Sequence, residues 1–79
     1  MRLWLDTEFN EYKGDLISLA LVDENGREFY EVLPCLKPGP WVSQNVIPVL
    51  GQRPVPLIDV RVILQAWLSL YPSIHIVAD

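Results

Sequence analysis

The sequence predicts an α/β (α+β) fold in the order βββαβ, with strands 1–3 antiparallel and strand 4 parallel to strand 1. Three observations predict it. Apolar runs between residues 2 and 33 are separated by polar turn signals at 10–14 and 23–26. Apolar residues recur at helical spacing from Leu57 to Tyr71. A last apolar run, Ser73 to Asp79, follows Pro72 and ends in an acid.

Arg2 to Asp6 reads as strand one, a short apolar run closed by Asp6-Thr7-Glu8 and Phe9. Asn10 to Gly14 is polar, with Gly14 as a breaker, and reads as a turn. Asp15 to Val22 is nearly continuously apolar, which predicts a strand buried on both faces. Asp23-Glu24-Asn25-Gly26 predicts a hairpin turn in which Asn-Gly supplies the positive φ angles. Arg27 to Leu33 mixes charged and apolar residues on both faces, as suits a sheet edge. Prolines at 34, 38, 40, 48, 54 and 56 then mark a connector that wraps, with a short helix over Trp41–Val46 begun by Pro40. In the second helix Leu57, Val60, Ile63, Leu64, Trp67, Leu68 and Tyr71 form one face, while Arg61, Gln65 and Ser69 form the other. A helical crossover makes the strands it joins parallel, so strand four is expected beside strand one.

The chemistry-bearing feature is the pair Asp6 and Glu8. Side chains along a strand alternate between faces, so these two carboxylates aim at one point. Like charges held together need neutralising, and a divalent cation such as Mg²⁺ accepts one or two carboxylates plus phosphate oxygen. An Asp-x-Glu pair can also be no more than a solvated strand end. Asp79, at the end of strand four, is expected to arrive at the same sheet edge.

Composition narrows the classes. Seventy-nine residues make at most one small domain, spanning 1–79. Half the chain is hydrophobic (51%), which for this length implies apolar surface awaiting a partner and predicts self-association. A net charge of −4 argues against a protein that coats nucleic acid nonspecifically, but not against a phosphate enzyme whose metal supplies the positive charge. One cysteine, Cys35, and one histidine, His75, cannot build a zinc cluster or an internal disulfide. Both are expected to be structural. No apolar run approaches the roughly 20 residues of a membrane span, and no signal peptide or Gly-rich phosphate loop is present, so a cytoplasmic location is expected.

Leu3-Trp4-Leu5-Asp6-Thr7-Glu8-Phe9 resembles the first motif of the DEDD (DnaQ-like) superfamily of 3′-5′ exonucleases. With Ile17-Ser18-Leu19-Ala20 and Asn25-Gly26-Arg27-Glu28-Phe29-Tyr30, the chain is most similar to the small bacterial and phage exoribonucleases of that group. The resemblance implies a ribonuclease-H-like fold and a two-metal phosphodiesterase acting on 3′ ends of single-stranded RNA or DNA. Two Mg²⁺ or Mn²⁺ ions about 4 Å apart would activate water and stabilise the leaving oxygen. It implies that Asp6 and Glu8 are catalytic and hold metal, and that Thr7 and Phe9 bind the terminal nucleotide. Asp79 is either the second-motif acid and a metal ligand or lies just before that acid. Nothing matches the family's late His- or Tyr-containing motif, and His75 sits inside strand four. The resemblance therefore covers the N-terminal portion of such a domain, and the 79 residues alone are expected to bind metal weakly without hydrolysing nucleic acid.

Two other classes fit less well. One is a small α+β interaction module without catalysis. The other is a piece of a ribonuclease-H-like endonuclease or transposase, whose first strand usually bears a single Asp.

Overall fold

A computed structural model describes residues 1–11 and 14–78. Four strands form one mixed sheet in the order β3-β2-β1-β4. These are β1 (Arg2–Phe9), β2 (Leu16–Asp23), β3 (Glu28–Val32) and β4 (His75–Ala78). β1 pairs antiparallel with β2 and parallel with β4, and β2 pairs antiparallel with β3, as the sequence predicts. Between β3 and β4 lie a short helix α1 (Pro40–Asn45), a 3₁₀ turn (Ile47–Val49) and the crossover helix α2 (Leu57–Leu68).

The strand assignments differ at their ends. β1 runs through Asp6-Thr7-Glu8 to Phe9 rather than stopping at Asp6, because pairing with β2 carries Asp6 opposite Ala20, Thr7 opposite Leu19 and Glu8 opposite Ser18. α2 stops at Leu68, three residues before the predicted end. Its last residues close in tight turns, with Leu70 N–H donating to Trp67 O and Tyr71 N–H to Leu68 O. β2 has no exposed residue, in keeping with its continuous apolar run, and β3 is the sheet edge its mixed pattern predicts. The turn expected over Asn10–Gly14 lies partly outside the described residues.

One face of the sheet carries the larger core. Leu3, Leu21 and Phe29 are buried there and pack against Leu64, Trp67, Leu68 and Tyr71. Trp67 and Tyr71 are half-buried in an aromatic chain. The Phe29 and Trp67 rings are 5.6 Å apart, and Trp67 and Tyr71 meet edge-on at 5.2 Å. Val60 of α2 is also buried, but Leu57, Ile58, Val62 and Ile63 are exposed, as is Ile76 on β4. A second cluster joins Ile17 to Val42 and Val46, with half-buried Cys35 against it. Among the described residues no helix is long and apolar enough to cross a membrane.

The β2–β3 hairpin turns over Asp23–Gly26 where the sequence predicts it, but Asn-Gly does not supply two positive φ angles. Only Gly26 takes a positive φ (85°); Asn25 does not. Asp23 N–H donates to Arg27 O, Gly26 N–H donates to Asp23 O, and the Asp23 carboxylate is the reason this form wins. Its Oδ1 accepts from the N–H groups of Asn25 (2.8 Å) and Arg27 (2.9 Å), the side-chain turn typical of aspartate. Its Oδ2 accepts from the Tyr71 hydroxyl at 2.6 Å, tying the hairpin to the chain just past α2.

That hydrogen bond, helped by the two backbone N–H groups and opposed by desolvation, holds the Asp23 carboxyl below the usual carboxylate range. Desolvation, and then the Asp23 carboxylate itself, pushes the Tyr71 hydroxyl up. The sign follows. A lowered carboxylate stabilises the fold above its ordinary value of about 4, and this is lost as pH falls through its lower folded value. A raised phenol stabilises below its ordinary value of about 10, and this is lost as pH rises through its higher folded value. Tyr71→Phe is expected to lower the melting midpoint by a few degrees near neutral pH and to flatten both flanks of its pH dependence. Thermal melts between acid and alkaline pH check this, and an unchanged profile would contradict it.

Candidate functional site

The candidate site is built by β1 and its small cross-strand neighbours. Asp6 and Glu8 stand on the sheet face opposite the Leu3 core, two residues apart, so the strand alternation directs both carboxylates the same way. Their partners on β2 are Ala20 and Ser18, whose short side chains leave a recess beside the acids. A cavity of about 320 Å³ opens there, lined by Asp6, Glu8, Ser18 and Ala20 on the sheet side.

The other wall comes from residues far along the chain. Trp41 and Asn45 of α1, Val46, Val49, Leu50 and the β3 residue Tyr30 complete the lining. α1 begins at Pro40, whose missing N–H costs nothing in a first turn. Val42 and Val46 turn inward against Ile17, which leaves Trp41 62% exposed and beside the acids' cavity. Asn45 donates through Nδ2 to Trp41 O (2.9 Å), and the Tyr30 hydroxyl donates to Leu50 O (2.8 Å).

The electrostatics are one-sided. Among the described residues the lining holds two acids and no basic side chain. Both carboxylates are exposed at the surface. The charged donors are all oxygen, the preference of hard cations such as Mg²⁺, and the lining offers no His or Cys. Among the described residues no group of three or more His, Cys, Asp or Glu could hold a metal ion. Two carboxylates, completed by water and phosphate oxygen, fit the usual habit of Mg²⁺.

The structure brings some of the sequence candidates together and not others. Asp6 and Glu8 share the cavity. Thr7, between them, is paired with Leu19 on the opposite face, and Phe9 lies past a register irregularity after Glu8; neither lines the cavity. Asp79 lies outside the described residues. The described part of β4 ends at Ala78, paired with Leu5, the residue before Asp6. His75 is exposed rather than packed within an apolar strand, and its backbone N–H donates to Met1 O. Trp41 and Tyr30 are the aromatic residues among the lining that the sequence candidates do not include. The prolines announced a wrapping connector, but nothing in their spacing says that it returns to the acids.

No protein-family model matches the chain. It is similar to two curated proteins named 3′-5′ exoribonuclease, from two strains of Mycobacterium tuberculosis. Each is 44% identical over 55 residues, which is 63% of this chain and 33% of theirs. The chain thus spans about a third of the length of these relatives.

Proposed function

We propose that this chain contributes the acid-bearing part of a metal-dependent 3′-5′ exonuclease of the DEDD type that acts on single-stranded RNA. The observation that carries the reading is the pair Asp6 and Glu8 on one face of a strand flanked on both sides, opening into a cavity of about 320 Å³. The similarity to proteins named 3′-5′ exoribonuclease supports the reaction class and the choice of RNA.

In this reading Asp6 and Glu8 hold Mg²⁺ or Mn²⁺, with Asp79 as a further candidate ligand. When bound, such a cation lowers the pKa of water and screens the charge of a phosphodiester. The chain's own residues do the rest by position. The two carboxylates, fixed by the sheet, set where a phosphate can sit, because without a neutralising cation they repel it. The absence of a basic side chain in the described lining means that the phosphate gains no direct ion pair there. The opposite wall is apolar and aromatic, and the exposed face of Trp41 offers a stacking surface for a terminal base. Phe9, exposed at the end of the same strand, is a further contact for the nucleotide from outside the cavity.

The test is an NMR titration of the 79-residue chain with Mn²⁺, followed by a nucleoside 5′-monophosphate. Paramagnetic broadening centred on Asp6 and Glu8, and nucleotide binding that requires the metal, are expected. Nucleotide binding indifferent to metal would overturn the reading. Trp41→Ala is expected to weaken nucleotide binding by about tenfold, the scale of one lost base–aromatic stack, while leaving the Mn²⁺ affinity unchanged.

A second reading, a protein-interaction module, is favoured by one observation: the exposed apolar residues Ile58, Val62 and Ile63 of α2 and Ile76 of β4. It expects no Mn²⁺ response together with self-association, seen as concentration-dependent sedimentation.

A further inference from the structure

We infer that Asn10 and Tyr30 are positioning residues that clamp the far wall of the cavity, residues 37–50, against the acid-bearing strand. The inference rests on the reading of the cavity as a nucleotide site.

Asn10 follows directly on β1, two residues past Glu8. Its side-chain amide is used on both sides by one short stretch of chain. Nδ2 donates to Lys37 O at 2.8 Å, and Oδ1 accepts from Gly39 N–H at 2.8 Å. A carboxamide carries a donor and an acceptor at a fixed separation, so two such bonds to residues 37 and 39 fix the segment in translation and in rotation. Gly39 is the residue from which α1 departs. The end of the acid strand is therefore tied to the start of the helix that carries Trp41.

The other end of the wall is tied by Tyr30. Its hydroxyl reaches Leu50 O, just past the 3₁₀ turn, at 2.8 Å. Between the two ties the wall meets the sheet through Val42 and Val46 on Ile17. Such apolar contact is non-directional: it gives adhesion but little register. The directional information lies in the Asn10 and Tyr30 bonds, which span 29 and 20 residues of sequence. Trp41 stands between the ties, and Leu50 is itself the residue held by Tyr30.

Two conservative variants test the inference. Asn10→Asp keeps the acceptor for Gly39 and sets a carboxylate oxygen against Lys37 O. Tyr30→Phe removes only the hydroxyl. In the 79-residue chain, each is expected to speed amide hydrogen exchange within residues 40–50 by about fivefold or more, the scale of one ordinary hydrogen bond, with β1 and β2 amides unchanged. Each is also expected to weaken nucleoside 5′-monophosphate binding at saturating Mn²⁺ by about fivefold, with the Mn²⁺ affinity of Asp6 and Glu8 unaltered. A purely structural role would not separate nucleotide from metal in this way. Unchanged exchange in residues 40–50 in both variants overturns the clamp. Faster exchange with unchanged nucleotide affinity overturns the positioning role. If the unaltered chain binds no nucleotide at all while the exchange response appears, it is the proposed function that fails, and the clamp stands as architecture.

Discussion

Asp6→Asn is expected to weaken Mn²⁺ binding by on the order of a hundredfold, the upper range for damage to a metal site, without lowering the melting temperature of the metal-free chain. The two halves of this expectation have one cause. Asp6 and Glu8 share a face of β1, and their cavity contains no basic side chain among the described residues. Without a cation the pair repels itself, so asparagine, nearly the same in shape, relieves a cost. With a cation the same substitution would remove one of the two carboxylates that line the cavity. The result separates a metal site from a structural one: a carboxylate that served only the fold would show a loss of stability and no loss of metal. Calorimetric Mn²⁺ titration and thermal melts, each on the unaltered chain and the variant, decide it. Equal metal affinity, or a lower melting temperature, sinks the assignment.

Leu3→Ala is expected to do the opposite. Leu3 is fully buried (0% exposed) on the other face of the same strand, against Leu21, Phe29 and the Trp67 side of α2. Truncating a buried leucine costs the transfer energy of the lost carbons plus that of the cavity left behind, about 3 kcal/mol. Small domains hold only about 5 kcal/mol or somewhat more in total, so the variant should retain roughly 2 kcal/mol and unfold at a markedly lower urea concentration. Metal affinity would then fall only in step with the folded fraction. Urea unfolding followed by tryptophan fluorescence measures the loss; a midpoint within error of the unaltered chain would contradict the core drawn around Leu3. Together the two substitutions dissect one strand, with chemistry on one face and stability on the other.

Much of this arrangement is legible in the sequence. The period-two placement of Asp6 and Glu8 is a local property, and so are the continuous apolar run of β2, the proline that opens α1 and the helical spacing of α2. The order of elements implied β4 beside β1, which is the pairing observed. What could not be read is what depends on partners distant in sequence. Asp6-Thr7-Glu8 looks like the end of a strand, and only its pairing with Ser18, Leu19 and Ala20 extends β1 to Phe9. Asn-Gly signals positive φ at both residues, yet the carboxylate of Asp23, two residues earlier, accepts from the N–H groups of Asn25 and Arg27, and only Gly26 takes a positive φ. Trp41 reaches the acids across more than thirty residues through an irregular connector, where no periodicity exists to be read. The helical spacing of α2 marks one apolar stripe, but the structure covers it unevenly, burying Val60 and packing Leu64, Trp67 and Leu68 while leaving Leu57 and Ile63 exposed.

The parallel pairing of β1 with β4 also sets the order in which the molecule can assemble. Met1 and Ser73, 72 residues apart in sequence, are brought together where the two strands begin. The β1–β2–β3 meander closes only short loops, whereas the β1–β4 ladder must close nearly the entire chain, and contacts of such long separation form late and slowly. An early folding species would thus hold Asp6 and Glu8 on a strand hydrogen-bonded along one side only, with its other side bare. The strand that carries the acid pair gains its second neighbour, along Arg2 to Leu5, as the last event of folding, and until then that bare edge is open to pairing with any neighbouring strand.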